Sequence, residues 1–350
     1  MKKGCGITYL SFPFAAGVAA AELSGAPPGA APPACLASAI MLVFCALHQG
    51  NDRLPLAVTF IFLGAFCRCT EAIAGAPRNI SLFPAALDSL CGAIDAAGFP
   101  GKNSGAIITA LLTGRRGALP RSTVEAFRRS GASHILALSG LHLGIIYLFI
   151  CRLLIPLGNT PAGRFFRSCI AVSLCGFYTV TTGASPSTVR AFLFIVVNEA
   201  GRSLSGRIRS PAGTFSTALM IQLAVRPSLI ASAGFQLSYL AMLGIILLYP
   251  GLSTWYPGRR GLLKGIWNAA ALSSSCQLFT APAAWWHFRS LPRYYLITNL
   301  LALPMTECII VTALVCLILQ ATGICPAWLV AACGKLVELM EFCLETIASL

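Results

Sequence analysis

"HILALSGLHLGII", residues 134–146, places two histidines, a serine and two glycines inside a run otherwise suited to a lipid interior. In water such a run reads as a buried core helix. In a chain that is 57% hydrophobic and only 10% charged, with a mean hydropathy of +0.78, it reads as part of a membrane segment. The fold class expected from this is all-α: a polytopic transmembrane helical bundle with some broken or re-entrant helices.

Working outward, eleven apolar blocks approach the length of about 20 residues that a helix needs to cross the hydrocarbon core. They lie near residues 7–23, 34–48, 54–74, 133–156, 165–182, 185–200, 211–226, 228–250, 265–286, 294–320 and 326–350. The first two form a hairpin across the chargeless turn "SGAPPGAAPPA" (24–34). Three segments are expected: residues 1–75 as N-terminal membrane helices, 76–102 as a short extracytoplasmic amphipathic piece, and 103–350 as the main membrane domain. The opening "MKKGCGITYLSFPFAAGVAA" is followed at once by further spans, so it reads as a retained helix rather than a signal peptide.

The formal charge of +14 is first of all topology, because cytoplasmic loops collect lysine and arginine. If Lys2 and Lys3 mark a cytoplasmic N-terminus, the groups around Arg152, Arg164 and Arg167, then Arg202, Arg207 and Arg209, then Arg259, Arg260 and Lys264 fall on the same side. One cluster stands apart. "TGRRGALPRSTVEAFRRSGASH" (113–134) sets Arg115, Arg116, Arg121, Arg128 and Arg129 against the single acid Glu125, on the outer face. Such a segment suits a polyanion, since neutralised phosphates release counterions, while taken by itself it reads more readily as an interfacial helix on lipid headgroups. Ser122 is expected to cap its helix, with Glu125 three residues on completing a capping box.

Catalysis has little support. Ser139 and His142 are three apart, but no acid follows to orient the imidazole, and the surroundings are not G-x-S-x-G. His134 and His142 are eight apart, His48 and His287 are isolated, and no H-E-x-x-H occurs, so no metal site and no cofactor are expected. The fifteen cysteines form no C-x-x-C pair and read as small apolar filler; Cys67, Arg68 and Cys69 match no ligand pattern. A G-x-x-x-x-G-K-[ST] loop is absent, so energy for any transport must come from a partner.

The polar islands instead read as helix contacts or the lining of a wet path. Ser139, Gly140, His142 and Gly144 form a small polar stripe that admits a second backbone. "GASPSTVRAFLF" (183–194) begins a helix at Ser185 or Ser187 with Pro186 in its first turn and buries Arg190, with Glu199 further on. "AGFQLSYLAMLG" (233–244) brings Gln236, Ser238 and Tyr239; "SSSCQLFTAPAAWWHF" (273–288) brings Gln277 and Thr280 before a break at Pro282; "LITNLLALPMTECII" (296–310) brings Asn299, Pro304 and Glu307.

The order of four blocks carries a resemblance. They are "TGRRGALPRSTVEAFRRSGASHILALSGLHLGII", "GASPSTVRAFL", "RPSLIASAGFQLSYLAMLGI" and "LFTAPAAWWHFRSLPRYYLITNLLALPM". Over about residues 103–350 the chain resembles the competence domain of the ComEC family, inner-membrane channels for DNA uptake, most specifically in S-G-x-H-x-G and G-F-Q-L-S. The resemblance implies that a single DNA strand crosses the bacterial inner membrane through this region during natural transformation. The positions it carries over are Gly131, His134, Ser139, Gly140, His142, Gly144, Ser185, Pro186, Arg190, Gly234, Phe235, Gln236, Ser238, Asn299 and Pro304. Implied partners are single-stranded DNA, membrane lipid and other competence proteins: a DNA receptor, a cytoplasmic helicase and a separate nuclease; a homo-oligomer fits too. Larger members carry an OB-like domain and a metallo-β-lactamase-like domain. Residues 76–102 leave little room for the first, and no histidine follows His287 for the second, so a non-enzymatic chain is expected, either a short form, a split protein or a truncated product. Rival readings are a small-solute permease using Arg190, Glu199 and Glu307, and an inactive remnant, with Glu338, Glu341 and Glu345 making the last segment a doubtful crossing.

Overall fold

Helices account for the regular structure among the described residues, most of them apolar and several opened by a proline in the first turn. In a computed structural model, the described residues are all except 1–5, 26–27, 48–52, 75–82, 159, 206–209, 257 and 259–260. Lys2, Lys3, His48, Arg207, Arg209, Arg259, Arg260 and the start of the 76–102 segment lie outside them. Sixteen α-helices and no strand occur among the described residues: α1 (Gly6–Leu23), α2 (Ala31–Leu47), α3 (Arg53–Ala74), α4 (Pro84–Ala96), α5 (Ser104–Thr113), α6 (Arg121–Arg129), α7 (Ser133–Leu136), α8 (Gly140–Leu153), α9 (Pro161–Thr181), α10 (Pro186–Ser205), α11 (Pro211–Val225), α12 (Ala233–Leu247), α13 (Tyr249–Thr254), α14 (Leu262–Phe288), α15 (Tyr295–Ala321) and α16 (Ala327–Ala348). The all-helical class is therefore as expected. Among the described residues, two helical segments, Leu54–Ala74 and Tyr295–Ala321, are long and apolar enough to cross a membrane; six others, Gly140–Leu153 among them, are apolar but shorter.

Local chemistry sets the helix starts. Thr160 and Ser210 each stand one residue before a proline and accept from the backbone N–H three residues on, both at 3.1 Å. Ser185 does the same for Thr188, ahead of Pro186, as the sequence suggests. The expected break at Pro282 is absent: Pro282 lies inside α14 and Pro304 inside α15. A proline removes one ladder bond, and neighbouring packing re-satisfies the freed groups. Breaks fall elsewhere. The 133–156 block divides into α7 and α8 because Ala137 and Ser139 are extended. The 228–250 block divides into a 3-10 turn at Pro227–Ala231, then α12 and α13.

The chain forms two compact units. The first joins residues 1–79 to 193–242. Its α1 and α3 cross on bare glycine: a Cβ on Gly17 would stand 1.9 Å from Ile61 O, and one on Gly64 would stand 2.2 Å from Phe14 O. Such approach is the usual way helices associate in lipid, where no hydrophobic drive exists between them. The second unit joins residues 80–192 to 243–350. Its core is a single cluster from α4 to α8, α15 and α16, centred on Ile107, Leu111, Phe127, Ile309, Val337 and Met340. The last helix, expected to be a doubtful crossing, is not among the segments long and apolar enough to cross a membrane; it runs unbroken along this core, burying Cys333, Val337, Met340, Leu344 and Ile347. No disulfide links the described cysteines; Cys69, Cys175, Cys316 and Cys333 are buried as filler.

Candidate nucleic-acid interface and polar membrane sites

The basic segment begins where α5 stops. Gly114 ends that helix in the left-handed region at φ 77°, and a buried Leu119 and Pro120 lead into α6. The helix starts at Arg121 behind Pro120, so Ser122 sits inside its first turn and the expected capping box does not form. Glu125 turns instead to its own helix. It accepts from Arg128 Nε at 2.8 Å and Nη2 at 2.9 Å, and from Arg129 Nε at 2.9 Å. These bonds hold its carboxyl down at about 2, well below the usual range.

One face of α6 is anchored and the other is offered outward. Phe127 is fully buried, an enclosure worth about 1.5–3 kcal/mol for a side chain of its class. Thr123 Oγ1 donates to Glu341 Oε1 at 2.9 Å, and Asn103 Nδ2 donates to the same oxygen at 2.6 Å, so α16 holds the foot of α6. Thr298 Oγ1 donates to Ser130 O at 2.6 Å and fixes its end. Gly131 follows at φ 87°, where a Cβ would stand 2.5 Å from Pro292. Against this base Arg121, Arg128 and Arg129 are exposed.

Arg115 and Arg116 have structural partners as well as exposure. Arg115 Nη1 bonds Asp88 Oδ1 at 2.6 Å, and Arg116 Nε donates to Leu136 O at 3.0 Å. With Cys91, Asp95, Ala106, Thr109, Gly117 and Ala118 they line an open cavity of about 450 Å³. The five arginines of the sequence cluster thus share one unit, on two adjoining features: the rim of this cavity and the outer face of α6.

The S-G-x-H motif has a local explanation. Ser139 is the N-cap of α8, in extended backbone at φ −114° and ψ 165°, and His142 is the third residue of that helix. Ser139 N–H donates to His142 Nδ1 at 3.2 Å, so the two form a capping box with histidine in the position glutamate or glutamine usually holds. An Nδ1 that accepts this bond leaves the ring proton on Nε2. His142 is only 1% exposed, whereas His134 is exposed and faces Gly131 O at 3.1 Å through Nδ1. The dyad-like spacing is therefore a helix start.

Close helix approach occurs at Gly140 rather than Gly144. A Cβ on Gly140 would stand 3.1 Å from Arg190 Nη2 and 3.3 Å from Ala191 Cβ; one on Gly144 would meet no described atom within 4 Å. Arg190 is 8% exposed and also lies within electrostatic reach of Cys276 on α14. Three sequence blocks therefore converge: the serine-capped start of α8, the first turns of α10 below Ser185 and Pro186, and the serine-rich middle of α14. Asn299, on α15, has its Oδ1 enclosed without a hydrogen-bond partner among the described residues.

Gly234, Phe235, Gln236 and Ser238 belong to the first unit. Gln236 Nε2 donates back to Ile230 O at 2.8 Å, closing the turn ahead of α12. Gly234 is exposed, and a Cβ there would meet nothing within 4 Å. Phe235 packs on Tyr239 with ring centroids 4.5 Å apart, and Phe215 meets the same tyrosine edge-on at 5.5 Å. Tyr239 donates to Gln222 Oε1 at 2.9 Å and is buried, so its ring is a packing element. Glu199 accepts from Arg202 Nη1 at 2.9 Å, and Glu307 lies on an exposed side of α15.

Sequence reasoning passed over Glu71 and took Glu341 only as a charge in the last segment, missing that both fasten distant elements. Glu341 ties three helices of the second unit, and Glu71 of α3 binds both the backbone and the hydroxyl of Ser228. The available signal was an acid within an apolar run, which in lipid has to face a partner.

Comparison with known proteins places these features. The chain is 29% identical over 212 residues to ComE operon protein 3 of Bacillus subtilis (strain 168), covering 59% of this chain and 26% of that protein. It is 26% identical over 214 residues to the uncharacterized protein YcaI of Escherichia coli (strain K12), covering 59% of this chain and 28% of that protein. The aligned region spans about a quarter of each of these relatives. No solved structure matches. The sequence model of the Competence protein family matches residues 111–350, which begin just before the arginine cluster and take in α6 to α16, and on that match the chain belongs to the Competence protein family.

Proposed function

We propose that this chain is a multi-pass inner-membrane channel component through which single-stranded DNA enters the cell during natural transformation. The observation that carries the reading is the α6 platform, with three guanidinium groups exposed on a helix whose opposite face is locked by Phe127, Thr123 and Ser130. A rigid helix presenting positive charge lets phosphates bind through counterion release without ordering a loop first. Arg115 and Arg116 extend the same charge to the adjoining cavity.

Membrane crossing is supported beyond the two long apolar helices. On α14, Trp267 and Trp285 are 18 residues apart, or about 27 Å along the axis, close to the hydrocarbon thickness of about 30 Å. Trp285 and Trp286 are exposed, and Arg289 stands over the Trp286 ring at 5.8 Å, as an interfacial aromatic anchor would. On this reading residues 1–75 are N-terminal membrane helices, 76–102 a short extracytoplasmic piece and 103–350 the competence domain. The polar groups around Gly140, Arg190 and Asn299 border the strand's path, with no bond-breaking step. Receptor, helicase and nuclease belong to partner proteins.

Reversing the charge of Arg128 and Arg129 together to glutamate tests the platform. Uptake of labelled DNA falls at least about tenfold with membrane levels unchanged, the scale expected when two phosphate contacts become repulsive. Unaltered uptake at normal levels would remove the landing-site role.

A further inference from the structure

Helix α3 carries Arg68 and Glu71 one turn apart inside an apolar run, which in the first unit requires partners. Arg68 Nε bonds Glu22 of α1 and its Nη1 lies 4.0 Å from Glu71 Oε2, so one guanidinium serves two carboxylates. Glu71 then reaches out of the helix pair. Its Oε2 accepts from Ser228 N–H at 2.6 Å and its Oε1 from Ser228 Oγ at 2.7 Å. Its side chain is 6% exposed, so these bonds are made away from water and are costly to leave unmade.

Ser228 sits in the 3-10 turn Pro227–Ala231, the elbow between α11 and α12. Pro227 offers no N–H there, which makes the Ser228 N–H the first donor the elbow must satisfy. Ile230 O in the same turn accepts from Gln236, and Ser232 Oγ accepts from Phe235 N–H, so the first turn of α12 is built directly on the elbow.

We infer that Glu71 is a positioning residue: it fastens the Ser228 elbow and, through it, the Phe235 and Gln236 turn of α12. The N-terminal helices, which precede the region matched by the family, are then a working part of the competence domain rather than an anchor for it. The inference rests on the DNA-uptake reading for its effect on transport, while the elbow itself is measured independently.

The test follows hydrogen exchange of the full-length protein in nanodiscs, peptide by peptide, alongside transformation frequency for the same variants. Glu71→Ala speeds exchange at residues 228–236 by about tenfold or more while peptides within α1 and α3 keep their protection. Glu71→Gln, which still offers one acceptor to the Ser228 N–H, lies between Ala and wild type, and Ser228→Ala, which keeps the backbone bond, shows a smaller rise. Uptake falls in the same order. Unchanged exchange at 228–236 in Glu71→Ala, or a rise spread evenly over the whole unit, overturns the inference. Should Glu71→Ala fail to accumulate, Glu71→Gln and Ser228→Ala decide the question by the same peptides: a local rise supports the inference, and none overturns it. A local rise in a strain whose transformation does not depend on this gene keeps the elbow and refutes DNA uptake instead.

Discussion

The two units use the same kinds of side chain in opposite ways. In the first, polar groups turn inward and fasten one another: Glu71 to Ser228, Tyr239 to Gln222, Gln236 to Ile230 O. In the second, an apolar core and the fastening of α6 by Glu341 leave the outer surface of that helix to display arginines. A buried charge needs a dedicated partner, and meeting that need fixes geometry. An exposed charge keeps its affinity for whatever arrives. The lesson is that polar residues within the apolar runs of this sequence are chiefly fasteners, and that the exposed arginines carry the stronger claim to a ligand.

The largest expected effect breaks the first unit. Gly64→Ala sets a methyl group against Phe14 O and Val18 N, and backbone cannot step aside as a flexible side chain can. The change destabilises by about 1–3 kcal/mol or more, read as a fall in melting temperature of the detergent-solubilised protein. The control is Gly234→Ala, where the added methyl meets nothing; equal losses in both would deny the close crossing of α1 and α3.

A smaller effect separates fastening from transport at His142. Because the imidazole serves as the acceptor of a capping box, His142→Gln supplies the same bond from an amide oxygen and keeps most of the stability. His142→Ala loses about 1 kcal/mol. Equal behaviour of the two variants in unfolding and in uptake would show that the ring does something the cap does not explain.

The smallest effect lies on α6. Glu125→Gln releases Arg128 and Arg129 from their intrahelical acceptor and removes one negative charge, which strengthens binding of single-stranded DNA about twofold at low salt, the modest scale of exposed ion pairs. Its carboxyl is held at about 2, so the pairs persist above that pH and loosen only as pH falls through it. Binding to this face therefore stays flat from pH 5 to 8 as far as Glu125 is concerned. Weakened binding in Glu125→Gln would mean the acid positions the arginines instead of competing for them.

Much of this was legible along the chain, and what was not has a common cause. The apolar blocks, the Ser185 and Pro186 start of α10 and the exposed basic segment depend on neighbours within a few residues. The cap of α6 was misplaced by two residues because Pro120 supplies the required backbone turn more firmly than Ser122 supplies an acceptor. Pro282 suggested a break, yet α14 runs on through it, as α15 does through Pro304. For Glu71 and Glu341 the local pattern, an acid in an apolar run, calls for a partner without naming it, because the partners stand 157 and up to 238 residues away. The family resemblance lay in the order of the blocks, whereas the structural partners of single residues within them came only with the geometry.

The most direct measurement of the central claim is transformation frequency after clean deletion of the gene in its own host, complemented by wild type and by the Arg128→Glu, Arg129→Glu double variant at matched membrane levels. Loss of transformation restored by wild type and not by the double variant is the predicted result. Full transformation without the gene, in cells shown to take up DNA, would contradict it.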